Sequence, residues 1–230
     1  MAHDILFIPG LLCTGALFSD QIQGFVGQRG IHIGDVTGHE RVEDMAASVL
    51  ENAPACFDLV GLSMGGYVSF EILRQAPERV DRLVLMDTSA RADSEKQAKR
   101  RAALIDQSSF GTFKGVTPRL LPLLIHKSRL EDESVTSVIL QMAADVGQEG
   151  FVRQQKALLA RPDSRANLEN IAQDTLVIVG DEDAITPPKL AEEMAAGIPN
   201  ARLEVIPTCG HLAPLEQPDM TTELVLDFLD

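Results

Sequence analysis

Apolar residues along this chain come in short blocks between glycines, prolines and charges, and two spacings take turns. Ile5-Leu6-Phe7-Ile8 is a continuous apolar run that predicts a strand, and Pro9-Gly10-Leu11-Leu12-Cys13-Thr14-Gly15 after it is too rich in glycine to stay regular. A helix is expected from about Ser19, with Phe18, Ile22 and Phe25 on its buried side. Ile31 to Val36 reads as the next strand and Val42 to Leu50 as a helix. Phe57 to Leu62 is a third apolar run of strand length, and Val68, Ile72 and Leu73 beyond it fall at helical spacing. Val80 to Asp87 predicts a fourth strand. From about Arg91 to Gln173 the strand pattern stops, and four helical segments are expected near 94–107, 117–126, 132–146 and 149–160, separated by Gly, Pro and Ser breaks. The rhythm resumes with a strand over Thr175 to Gly180, a helix over 187–196, a strand over Ala201 to Ile206 and a last helix from about Pro218 to Leu229.

Strands that alternate with helices imply an α/β fold: a mostly parallel sheet, here of about six strands, with helices on both faces. The core is then residues 1–90 and 171–230, and the helical block 91–170 is an insertion that reads as a cap. A length of 230 residues and a hydrophobic fraction of 45% suit one such domain.

Composition narrows the partners. A formal net charge of -14 at pH 7 leaves no basic surplus to neutralise phosphates, so neither nucleic acid nor an anionic membrane is expected as a partner. The basic cluster Lys96, Lys99, Arg100 and Arg101 is better read as a solvated helix face than as an anion dock. Three cysteines, Cys13, Cys56 and Cys209, are an odd number without metal-ligand spacing, so neither a disulfide framework nor a metal site is expected, and a reducing cytoplasm fits. The apolar run Ile5 to Leu12 is broken by Pro9-Gly10 and preceded by Asp4, unlike a signal peptide, and no run approaches membrane-spanning length.

The candidate chemistry begins at Gly61-Leu62-Ser63-Met64-Gly65, where strand turns sharply into helix. A serine there sits in strained backbone, and glycine at the flanking positions lets strand and helix cross without a Cβ clash. Such a turn pushes Oγ outward and aims the Met64 amide and the helix N-terminus at the space above it, where negative charge develops in acyl transfer. The pattern alone is a weak signal, because Ser63 acting only as a helix N-cap would look the same. A serine nucleophile also needs a base, and the base needs a carboxylate that fixes its tautomer. Gly180-Asp181-Glu182-Asp183 follows the fifth strand, and Thr208-Cys209-Gly210-His211 follows the sixth. In an open parallel sheet the carboxyl ends of the strands share one crevice, which gathers Ser63, this acidic run and His211. Composition does not choose among Asp181, Glu182 and Asp183. Asp181, next to the strand end, is placed to pin the loop by accepting backbone amides. Asp183 stands further out, before Ala184-Ile185-Thr186-Pro187-Pro188, whose prolines hold the loop exit. Of the other histidines, His126 reads as a helix C-terminal residue, while His3, His32 and His39 carry no signal; Cys209 reads as a small residue filling a tight turn.

The order Ser, Asp, His in these contexts resembles the α/β-hydrolase superfamily from Ile5 to the C-terminus, and residues 161–219 look especially like its small esterase-like members. The resemblance implies an α/β-hydrolase fold with an inserted helical cap. It also implies Ser63 as nucleophile, Asp183 as acid and His211 as base, with the amides of Leu11 and Met64 as the oxyanion hole. Many members carry His-Gly before the oxyanion residue, whereas this chain has Pro9-Gly10. The antiparallel hairpin common at the family's N-terminus has no counterpart here.

The expected activity is hydrolysis of a small carboxylic ester or related acyl compound, with no metal and no organic cofactor. Phe110, Leu120 and Leu124 are the candidate substrate-binding residues, with Phe113, Leu121 and Ile125 beside them on an apolar cap underside; packing within the cap itself accounts for any one of them equally well. The superfamily scaffold also hosts enol-lactonases, thioesterases, C–C bond hydrolases, lyases and cofactor-free peroxidases. A ligand-sensing protein with a vestigial triad is the alternative from outside enzymology.

Overall fold

The computed structural model describes residues 3–108, 113 and 115–230. Six strands, β1 (Asp4–Ile8), β2 (Ile31–Ile33), β3 (Phe57–Leu62), β4 (Val80–Met86), β5 (Asp174–Gly180) and β6 (Ala201–Ile206), form one sheet in the order β2-β1-β3-β4-β5-β6. Every pairing is parallel, with Phe7 beside Val60, Val60 beside Val84, and Val179 beside Val205. Residues alternate between the faces of a strand, so the continuous apolar runs serve both sides at once. Ile5, Phe7, Val60, Leu62, Val84, Met86 and Ile178 enter one core layer, while Leu6, Ile8, Leu59, Leu83, Leu85, Val177 and Val179 enter the other.

The first layer is covered by α1 (Ser19–Phe25) and α9 (Pro218–Leu229), through Phe25, Val225 and Leu229. The second is covered by α2 (Val42–Asn52), α3 (Met64–Gln75) and α7 (Pro188–Gly197), through Met45, Val49, Val68, Ile72 and Met194. Phe18 and Phe25 are fully buried as the periodicity predicts, whereas Ile22 is half-buried. The strand expected over Ile31 to Val36 stops at Ile33: it lies at the sheet edge, and after Gly34 donates to the Phe7 carbonyl the chain turns on Asp35, whose carboxylate takes the Thr37 amide at 2.8 Å.

Between β4 and β5 the chain is helical: α4 (Glu95–Ser108), α5 (Leu121–Leu124) and α6 (Glu133–Ala160). The two helices expected over 132–146 and 149–160 are the two halves of α6, which part at Gly147, where φ of 67° and ψ of -178° interrupt the helical geometry. The helix expected over 117–126 shrinks to four residues and a 3-10 turn at Lys127–Arg129. Pro118 and Pro122 lack amide donors, and Ile125 is extended at φ -133°, so the helix cannot propagate. Of the basic cluster, Lys96, Lys99 and Arg100 are exposed, but Arg101 turns inward, donating to Asp93 at 2.6 Å and to Gln155 at 2.9 Å. The periodicity gave no sign of a short helix, α8 (Ala213–Glu216), or of the 3-10 turn Arg165–Asn170.

Candidate active site

The turn from β3 into α3 is held open sterically. A Cβ on Gly61 would lie 2.5 Å from Ser69 Oγ and 2.7 Å from the Gly65 carbonyl oxygen, and one on Gly65 would lie 2.0 Å from the Ile8 carbonyl oxygen. Only glycine lets α3 cross β1 and β3 this closely. Ser63 between them has φ 55° and ψ -111°, a left-handed conformation that a non-glycine residue adopts at a cost of about 1–3 kcal/mol. Its backbone is fixed on both sides, since the amide donates to the Met86 carbonyl at 2.9 Å and its carbonyl accepts from Thr88 Oγ1 at 2.7 Å.

The loops after β5 and β6 meet over this turn. His211 Nε2 lies 2.9 Å from Ser63 Oγ, and His211 Nδ1 lies 2.8 Å from Asp183 Oδ2. The other carboxylate oxygen of Asp183 accepts the amides of Ile185 and Thr186 at 2.8 and 2.9 Å, and Thr186 Oγ1 donates to Oδ2 at 2.6 Å. The three neighbouring acids diverge. Asp181 accepts the Cys209 amide at 3.1 Å, and Glu182, which is exposed, reaches His126 Nε2 at 3.1 Å. Asp183 alone meets His211.

Burial works to raise the Asp183 carboxyl, but the His211 charge and the hydrogen bonds from His211 and Thr186 outweigh it and draw the group down to about 2. For His211, burial works to lower the imidazole, while the Asp183 charge and hydrogen bond, with Asp87 and Glu216 behind them, hold it above its ordinary value. Asp87 is a second buried carboxylate at the end of β4. Burial first, then the nearby Asp183 charge, pushes it up to about 7. Its oxygens accept the Gly180 amide at 2.9 Å and the Ala213 amide at 3.1 Å, tying the loops that carry Asp183 and His211 to one strand end.

On the opposite side stands the loop after β1. Gly10 packs against the turn, where a Cβ would lie 3.4 Å from Ser63 Cβ. The Gly10 carbonyl accepts from the Cys13 amide at 3.1 Å. Among the described residues, neither the Leu11 amide nor the Met64 amide donates to a protein acceptor.

The expected pocket residues that are described differ in exposure. Phe110 lies outside the described residues. Leu120 is 37% exposed, whereas Leu124 is half-buried and its carbonyl accepts from the His211 amide at 3.0 Å. Phe113 stacks on Phe151 with centroids 5.1 Å apart, and Leu121 and Ile125 are buried in the layer that covers the sheet. His126 begins the 3-10 turn after α5, its Nδ1 accepting the Ser128 amide at 3.2 Å. Burial pushes the Cys13 thiol up to about 12 and raises Cys209 as well, so neither presents a thiolate at neutral pH.

A family model described as alpha/beta hydrolase fold matches residues 43–218. The chain belongs to the α/β-hydrolase family. This α/β hydrolase is 32% identical, over 84% of its length and 75% of the relative's, to a Mycobacterium tuberculosis protein that carries a non-heme bromoperoxidase name. It is 26% identical, over 94% of its length and 91% of the relative's, to a pimeloyl-[acyl-carrier protein] methyl ester esterase of Nitrosomonas europaea. Among solved structures, a thermophilic esterase from Thermogutta terrifontis superposes with a TM-score of 0.89 at 29% identity, covering 100% of this chain and 90% of that one. The protein is accordingly an enzyme of this family.

Thr186, Asp87, Glu216 and Gln154 bear on the site without having been picked out from the sequence. Thr186 had a faint signal, as the hydroxyl just before the prolines that close the acid loop. Asp87 and Gln154 bond only backbone groups far away in sequence, and Glu216 joins the nearby amides of Gly210 and Leu212 to the distant one of His126, pairings that no local pattern records.

Proposed function

We propose that this α/β hydrolase is a serine hydrolase that cleaves small carboxylic esters or related acyl compounds. The observation that carries the reading is the continuous hydrogen-bond chain from Ser63 Oγ through His211 to Asp183, with links of 2.9 and 2.8 Å. Asp183 accepts the Nδ1 proton, which leaves the Nε2 lone pair directed at Ser63 Oγ. Ser63 Oγ attacks the acyl carbonyl while its proton passes to Nε2. The resulting imidazolium is stabilised by Asp183 and then protonates the leaving group. The amides of Leu11 and Met64, with the N-terminus of α3, receive the oxyanion, and water releases the acyl group by the same steps in reverse.

The helical segment between β4 and β5 is then a cap over the site, and Leu124, whose carbonyl holds the His211 amide, is its best-placed apolar contributor to the acyl pocket. The esterase names of the Nitrosomonas europaea and Thermogutta terrifontis proteins favour ester cleavage. Steady turnover of short p-nitrophenyl esters and simple lactones, lost in Ser63→Ala, tests the proposal, and a panel with no turnover contradicts it. A second reading, a cofactor-free peroxidase, is favoured by the bromoperoxidase name of the Mycobacterium tuberculosis relative. There hydrogen peroxide would replace water as acceptor of the acyl group, releasing a peracid that oxidises bromide. Bromination that requires both hydrogen peroxide and a carboxylic acid or ester, and is lost in Ser63→Ala, would favour it, and no bromination would favour hydrolysis alone.

A further inference from the structure

Gln154 is completely buried, in the half of α6 beyond the Gly147 bend. A buried primary amide is costly unless both its ends are used, and here both are. Its Oε1 accepts the amide of Leu12 at 3.0 Å, and its Nε2 donates to the Val36 carbonyl at 3.3 Å. Leu12 needs an acceptor and Val36 needs a donor, so the network fixes which way the side-chain amide faces.

Leu12 is the residue after Leu11, and its φ of 58° lies in the left-handed region, where a leucine stays only if its surroundings hold it. Two further contacts act on the same loop: the Thr14 amide approaches Met142 Sδ of α6 at 3.4 Å, and the Cys13 amide donates back to the Gly10 carbonyl at 3.1 Å. In a trans peptide the N–H points opposite to its C=O. With the Gly10 carbonyl turned inward to Cys13, the Leu11 N–H points out of the Gly10–Cys13 turn. The Leu12 amide held by Gln154 fixes the next peptide plane, so the Leu11 N–H has little freedom to swing.

We infer that Gln154 is a positioning residue for the oxyanion loop, so that a helix of the cap sets the direction of the Leu11 amide. Pro9 supplies no side-chain donor or acceptor to this loop. Gln154, from 142 residues along the chain, provides that support. The inference rests on the serine-hydrolase reading of the site.

The test compares wild type with Gln154→Met, which keeps the volume but loses both bonds. Readouts are kcat and KM for p-nitrophenyl butyrate, inhibition by phenylboronic acid, which forms a tetrahedral adduct on a serine Oγ, and the melting temperature. Misdirecting one oxyanion donor should lower kcat on the order of tenfold to a hundredfold with KM within about twofold. Boronate affinity should fall in parallel with kcat. A residue that only supported the fold would lower the melting temperature and leave kcat per folded molecule, and boronate affinity, unchanged. That result overturns the inference. If Gln154→Met does not fold, Gln154→Asn, which remains an amide but is one methylene too short to reach Leu12, carries the same comparison. Loss of folding in both assigns Gln154 to the fold and also overturns it. A wild type that neither turns over the ester nor takes a fluorophosphonate at Ser63 overturns the hydrolase reading and this inference together, whereas an active wild type beside an unaltered variant overturns the inference alone.

Discussion

At the scale of single residues, the site depends on which carboxylate faces the histidine. Asp183 Oδ2 is 2.8 Å from His211 Nδ1, while Asp181 serves the Cys209 amide. Asp183→Asn should therefore lower kcat by a factor on the order of ten thousand, because an amide there favours the wrong imidazole tautomer. Asp181→Asn should cost far less. The pH profile gives a second readout. His211 must be neutral to accept the serine proton, so kcat/KM falls as pH drops through its pKa. That pKa stands above the ordinary histidine value because the opposition of the Asp183 charge outweighs burial. Removing the charge in Asp183→Asn lets burial act with less opposition, so the acidic limb of the residual activity should move to lower pH. An acidic limb that stays in place, or a nearly active Asp183→Asn beside an inactive Asp181→Asn, would mean that another carboxylate serves the base. Ser63, His211 and the acidic run 181–183 could be picked out from sequence because each follows a strand end at a turn-forming glycine, and the family resemblance pointed to Asp183 within that run. Asp87 could not, because its two acceptors serve the amides of Gly180 and Ala213, which only the folded sheet brings to it.

At the scale of elements, the sheet was legible because most buried parallel strands are short apolar runs, and each of the six segments read as a strand formed one, with β2 stopping at Ile33. The elements that departed from expectation did so where tertiary contacts competed with local propensity. The segment 117–126 has helical spacing, but the Leu124 carbonyl is taken by the His211 amide and not by a further helical turn. The turn between β3 and α3 shows the opposite case, in which local sequence leaves no freedom. A methyl group on Gly65 would stand 2.0 Å from the Ile8 carbonyl oxygen, so Gly65→Ala requires β1 and α3 to separate. A destabilisation of about 3 kcal/mol or more is expected, read as a lowered urea midpoint, with activity lost at temperatures where the variant is still folded. Wild-type stability in that variant would show that the crossing is looser than described.

At the scale of the whole molecule, the helical segment between β4 and β5 is hydrogen-bonded to the loop that carries His211, whose amide donates to the Leu124 carbonyl. Glu216 of α8 is fully buried, and its carboxylate accepts the amides of Gly210 and Leu212 at 3.0 Å and that of His126 at 2.6 Å. It thereby joins the His211 loop to the end of α5. Glu216→Ala would leave three buried amides without an acceptor, and a loss of about 3–5 kcal/mol is expected in chemical denaturation. Glu216→Gln, which keeps one acceptor oxygen, should cost less, and equal effects would argue against the carboxylate as the joint. None of this was legible in sequence, where Glu216 is one acid among 34 in a strongly acidic chain. The central claim is that Ser63 is an activated nucleophile, and one measurement tests it most directly. After brief exposure to a fluorophosphonate, mass mapping of the intact wild-type protein should find a single adduct on Ser63, abolished in Ser63→Ala while the fold persists. Undiminished labelling of Ser63→Ala at another serine, or no labelling of the folded wild type, would contradict the account.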